Sequence, residues 1–78
     1  MTRVRYFAAA EDAAGREEEV RSEATLGELR EALAADHPAL GAILARCSIL
    51  VDGVRSSDPD TSIAGAETVD VLPPFAGG

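Results

Sequence analysis

The sequence predicts one α+β domain: a mixed sheet of four to five strands around one main helix, with short helices beside it. Three stretches carry that expectation. Thr2 to Ala8 alternates, with Val4 and Tyr6 on one side and Arg3, Arg5 and Phe7 on the other, the period of two of a half-buried strand. Thr25-Leu26-Gly27-Glu28 opens a helix, where Thr25 can cap and Glu28 can return a bond to the cap's own N–H. Val69-Asp70-Val71-Leu72 runs straight into Pro73-Pro74, whose fixed φ and missing N–H stop a strand.

Between these landmarks the elements follow in order. Ala9 to Ala14 is alanine-rich and stops at Gly15, a short helix with a glycine end. Arg16 to Ser22 holds three glutamates and one clear hydrophobe, Val20, and reads as an edge strand whose charge discourages sheet-to-sheet association. Consecutive strand residues point to opposite faces, so Glu17-Glu18-Glu19 reads as a solvated edge rather than a metal site. Leu26, Leu29, Ala32 and Leu33 share one helical face. The helix ends at His37-Pro38, because the residue before proline is pushed out of the α region. Pro38 then starts a second short helix through Leu40, Ile43 and Leu44.

Cys47 to Val51 is a third strand, closed by the tight-turn pair Asp52-Gly53 and a brief return at Val54-Arg55. Ser56 to Ser62 has loop chemistry, Ile63 plugs the core, and Glu67 to Leu72 is the last strand. Strand, strand, helix, strand, short strand, strand is the order of a ubiquitin-like β-grasp roll, in which the first and last strands lie parallel in mid-sheet. Val4, Tyr6, Val69 and Val71 then face the helix. Phe7 and Leu72 are left on the outer face, side by side where both strands end. With Phe75 they make an apolar patch, expected to dock partner proteins.

The chain divides into a body, residues 1–72, and a tail, residues 73–78. Paired prolines hold the tail extended, and six residues reach about 20 Å at most. Gly77 and Gly78 carry no side chain and can enter a channel too narrow for other residues. The tail thus holds a carboxylate out on a short boom.

Composition narrows the function. In 78 residues, 46% hydrophobic, there is enough apolar material for one small core. The net charge of −7 argues against nucleic acid and anionic membrane as partners and permits a partner with a basic surface. A single cysteine, Cys47, allows no internal disulfide and suits a reducing, cytoplasmic setting. No apolar run approaches a membrane span and no signal peptide is evident. Every basic residue is an arginine, so there is no side-chain amine for Schiff-base chemistry or for accepting an isopeptide bond. There is no phosphate-binding glycine loop and no paired Cys or His for a metal. Cys47 is expected to be buried and inert, and His37 to serve a helix end. A self-sufficient enzyme is not expected from these residues.

Val4-Arg5-Tyr6-Phe7-Ala8-Ala9, Thr25-Leu26-Gly27-Glu28-Leu29, Val51-Asp52-Gly53 and the ending Leu72-Pro73-Pro74-Phe75-Ala76-Gly77-Gly78 resemble the small, sulfur-carrier subunit of molybdopterin synthase. They are less similar to the sulfur carrier of thiamine biosynthesis. Ala64-Gly65-Ala66-Glu67 stands where the family often has an acidic turn, and Phe75 where valine is common. The resemblance implies that a ubiquitin-activator-like enzyme, using ATP and magnesium, adenylates Gly78. A sulfur donor then displaces AMP to leave a thiocarboxylate. The tail would enter the large subunit of the synthase and give sulfur to cyclic pyranopterin monophosphate in molybdenum cofactor biosynthesis. Gly77 and Gly78 would be the reacting end, with Phe7, Leu72, Pro73, Pro74, Phe75 and Ala76 contacting partners. The chain itself would bind no cofactor or metal and would be the sulfur-donating part of a sulfurtransferase complex. Alternative readings are a carrier for thiamine or cysteine synthesis, or a ubiquitin-like protein modifier.

Overall fold

The computed structural model describes residues 1–74. Five strands form one sheet in the order β2-β1-β5-β3-β4. β1 (Thr2–Tyr6) and β5 (Thr68–Leu72) are the parallel central pair, in register from Arg3 opposite Thr68 to Tyr6 opposite Val71. β2 (Glu18–Arg21) is antiparallel to β1 at one edge. β3 (Ser48–Val51) is antiparallel to β5 and carries β4 (Val54–Arg55) at the other edge. The strands expected from Arg16, Cys47 and Glu67 begin at Glu18, Ser48 and Thr68.

The alternation read from the sequence sets the two faces. Val4, Tyr6, Val69 and Val71 are buried toward α2 (Leu26–Asp36), which fills the concave side with Leu26, Leu29 and Leu33. α1 (Ala9–Ala14) adds Ala10 and Ala14, and α3 (Pro38–Leu44) adds Leu40 and Leu44. Ile63, fully buried, closes the end as expected. Burying each of these valine, leucine and isoleucine side chains contributes about 2 kcal/mol before conformational entropy is charged against it.

Local chemistry starts and stops the elements. Gly15, at φ 74°, ends α1 in the left-handed conformation that a side chain resists. Asp52 and Gly53, at φ 49° and 84°, form the two-residue turn joining β3 to β4, with the positive angles a twisted hairpin needs. The Asp52 carboxylate also accepts the Glu67 and Thr68 N–H groups at 2.9 and 3.0 Å, tying that turn to the start of β5. Thr25 Oγ1 accepts the Glu28 N–H at 3.2 Å, as the capping box requires.

Two details depart from expectation. The Glu28 carboxylate takes the N–H of Ala24 rather than that of Thr25. The chain approaches α2 through an antiparallel bridge between Thr25 and Ser62, and that path turns the Ala24 N–H toward Glu28. The second concerns the acidic run, because Glu19 is not solvated. It lies opposite Val4 on the inner face of β2, and its side chain is 9% exposed. Arg21 on β2 and His37 at the end of α2 meet it there, so the edge strand is polar inside while Val20 faces outward, exposed.

Candidate functional site

Of the residues expected to work on a partner, the described ones, Phe7, Leu72, Pro73 and Pro74, lie where β1 and β5 end together. The register that pairs Tyr6 with Val71 continues one step, and the Phe7 N–H donates to the Val71 carbonyl at 3.2 Å. Phe7 and Leu72 therefore flank each other on the outer face, Phe7 40% exposed and Leu72 half-buried. Ala8 follows at φ 49° and ψ −124°, a left-handed conformation costing a non-glycine residue about 1–3 kcal/mol. The chain turns there into α1, leaving Phe7 at the rim. Pro73 is buried and Pro74 exposed, so the stiff segment is rooted in the body and Pro74 is its first solvent-facing residue. Phe75, Ala76, Gly77 and Gly78, expected to make contact or to react, lie outside the described residues.

Behind Phe7 and Leu72 a second row crosses all five strands: Glu18, Arg5, Asp70, Leu50 and Arg55 occupy matched positions. Arg5 donates from Nε and Nη2 to the two oxygens of Asp70 at 2.6 and 2.9 Å. Those hydrogen bonds, and then the Asp70 charge, hold the guanidinium above its ordinary pKa. The Arg5 guanidinium carbon is 6.0 Å from the centroid of the Phe7 ring. Beside them is a shallow depression of about 330 Å³ lined by Arg5, Tyr6, Phe7, Glu11, Glu17 and Glu18. A depression of about 400 Å³ lies at the opposite end of the same face, among Met1, Arg3, Val20, Glu67 and Thr68, away from the tail.

A different network closes the β2 edge over α2. Arg21 holds Glu23 with two bonds, Nε to Oε1 at 3.0 Å and Nη2 to Oε2 at 2.9 Å. Its Nη1 reaches both Glu19 at 2.9 Å and Asp36 at 2.8 Å. His37 Nε2 lies 2.8 Å from the other Glu19 oxygen; a carboxylate only accepts, so Nε2 carries the proton. Burial, the largest single influence on Glu19, pushes its pKa up. The bonds from His37 and Arg21 outweigh it and bring the carboxyl below its usual range. Glu23 is also lowered, chiefly by Arg21. Tyr6 sets its ring edge-on to His37, 6.2 Å between centroids, and its buried hydroxyl has no partner among the described residues. Burial, and then the Glu19 charge, raise that phenol well above its ordinary pKa.

Cys47 is buried, as expected, with Sγ 3.4 Å from the Ile43 carbonyl and its thiol pushed up by burial. His37 is a structural partner of Glu19. Among the described residues no three His, Cys, Asp or Glu side chains are grouped to hold a metal, and no helix is long and apolar enough to cross a membrane. Sequence reasoning missed the Arg5–Asp70 pair. The signal was present: the argument that aligned Phe7 with Leu72 aligns Arg5 with Asp70 two residues earlier.

Sheet order, enclosed helix and a central last strand leading into the tail define a β-grasp domain of ubiquitin-like architecture. Comparison with known families makes this specific. The chain belongs to the ThiS family, which matches residues 4–78, and so to the sulfur carriers of ubiquitin-like fold. A search of curated proteins finds no match. Among solved structures it is similar to a putative molybdopterin converting factor, subunit 1, from Pyrococcus furiosus, at 26% identity and TM-score 0.78, covering 95% of this chain and 97% of that one. It is also similar to a chain of the complex of subunits 1 and 2 of molybdopterin-converting factor from Helicobacter pylori 26695. There the identity is 25% and the TM-score 0.73, over 99% and 97% of the two chains. The small archaeal modifier protein 1 of Methanosarcina acetivorans shares the fold at TM-score 0.85 and 22% identity, over 99% and 95%.

Proposed function

We propose that this chain is the sulfur-carrier small subunit of a molybdopterin synthase, with the Gly78 carboxylate as its cargo site. One observation carries the reading: the exposed Phe7 and the half-buried Leu72 stand at the end of the central strand pair, where the chain leaves the body at Pro73-Pro74. A docked partner would receive the body on this patch and the tail in its own active site. Similarity to converting-factor chains from two organisms supports the molybdopterin branch, and one of those chains was solved in complex with its partner subunit.

The chemistry is divided between proteins. A carboxylate is a poor acyl donor, because its charge is delocalised and oxide is a poor leaving group. A partner activating enzyme would join Gly78 to AMP from ATP, releasing pyrophosphate, with magnesium on the phosphates. A sulfur donor would then displace AMP. In the large subunit the thiocarboxylate sulfur would bond to the pterin precursor, and water would hydrolyse the resulting Gly78 thioester, leaving the sulfur on the pterin and returning Gly78 to a carboxylate. Acid–base groups for these steps belong to the partners, and this chain supplies covalent carriage.

Intact mass after incubation with the cognate activating enzyme, ATP, magnesium and a sulfur source tests the proposal. A product with one oxygen replaced by sulfur, consumed on adding the large subunit and its pterin substrate, is expected. A ladder of larger conjugates on other proteins would indicate a modifier instead. Thiocarboxylate that only a thiazole- or cysteine-forming enzyme consumes would move the chain to another sulfur pathway.

A further inference from the structure

Asp70 is a carboxylate on the open face of the sheet that water scarcely reaches, only 7% exposed. Arg5 covers it, with one guanidinium nitrogen on each oxygen. Such a two-bond pair fixes the plane of the guanidinium as well as its position. The same group sits 6.0 Å from the Phe7 ring centroid, at the outer limit of a cation–π contact. A line of contacts thus runs from the central strand, through an oriented arginine, to the aromatic at the tail root. The backbone holds Phe7 from the other side, through its N–H on Val71 and the left-handed Ala8 that follows.

We infer that Asp70 is a positioning residue: acting through Arg5, it holds Phe7 in one outward pose at the root of the tail. The inference rests on reading this face as the docking surface. A partner burying a ring already fixed spends less binding energy on immobilising it. The pair also cancels its own charge, so the patch presents an aromatic without an uncompensated cation beneath it. A lysine at position 5 would reach Asp70 as a point charge and lay no plane along the ring.

Asp70→Asn and Arg5→Lys test this, with Glu19→Gln as a control that loosens the opposite side of the sheet. Phe7 ring motion is followed by ¹³C relaxation of labelled phenylalanine, and binding by surface immobilisation of the cognate molybdopterin synthase large subunit. Both test variants are expected to free the ring and to weaken binding about threefold to tenfold, mostly through faster dissociation. The control is expected to lower the melting temperature and change neither readout. Arg5→Lys keeps a charge opposite Asp70, so it remains folded should Asp70→Asn fail to fold. An unchanged Phe7 ring in the folded test variants, or equal loosening in Glu19→Gln, overturns the inference. If the wild-type chain does not bind the large subunit, the docking reading falls, and ring motion alone decides the role of Asp70.

Discussion

The sheet carries a charged network on each of its faces, one joining β2 to the end of α2 and one pairing β1 with β5. On the inner side Glu19, Arg21, Glu23, Asp36 and His37 join the β2 edge to the end of α2, and the Glu19 and Arg21 side chains are largely out of water. On the outer side one pair, Arg5–Asp70, underlies an aromatic left open to solvent. The inner network closes the β2 edge of the sheet over the end of α2. The outer one leaves its apolar residue uncovered. Charges that shield the core belong to stability, whereas under the proposed function the pair beneath the exposed ring serves recognition.

The sharpest separation of the two regions comes from the tail. Deleting Gly78, or extending the chain beyond it, is expected to eliminate thiocarboxylate formation while the melting temperature stays within error. Intact mass and calorimetry check both. Sulfur transfer surviving either change would remove the tail from the account.

Phe7→Asp comes next. Loss of a central aromatic anchor is expected to weaken large-subunit binding by about thirtyfold or more, the scale of an interface hot spot. Because Phe7 is 40% exposed, unfolding should shift little. A Phe7→Asp chain that unfolds instead would make the ring part of the core and erase the contrast.

Glu19→Gln should do the reverse. Losing charge-assisted bonds to His37 and Arg21 is expected to cost about 2 kcal/mol, or roughly 10 °C in a domain of this size, with sulfur loading unchanged. The sign of its pH dependence follows from the lowered carboxyls. Glu19 and Glu23 have folded pKa values below the ordinary 4.5, so their contribution is complete above 4.5 and lost as pH falls through the folded values. Wild-type melting is expected to drop steeply in that acid window and the Glu19→Gln curve to run flatter. Ala8→Gly is the mildest change: relief of the φ 49° conformation, set against glycine's entropy, is expected to raise stability by up to about 1 kcal/mol.

Periodicity made most of the fold legible. Alternation placed Val4 and Tyr6 inward, the capping box started α2, and Asp52-Gly53 marked its hairpin, because each is a local rule written in neighbouring residues. The inner network was not legible in the same way. Glu17-Glu18-Glu19 looks like a solvated run because composition says nothing about which of three consecutive strand residues meets a helix end, and His37 lies 18 residues further on. The Arg5–Asp70 pair spans 65 residues and needed strand register as well as strand order. The proposed docking patch was half legible: the outer-face placement of Phe7 and Leu72 followed from alternation, whereas the burial of Pro73 depends on packing that no local pattern encodes.

Amide shift mapping of the labelled chain against the cognate large subunit compares the two regions in a single titration. The account predicts that perturbations concentrate at Phe7, Leu72 and Pro74-flanking amides, extend to Arg5 and Asp70, and spare Glu19, Arg21 and His37. Perturbations centred on the β2–α2 edge, with Phe7 and Leu72 silent, would contradict it.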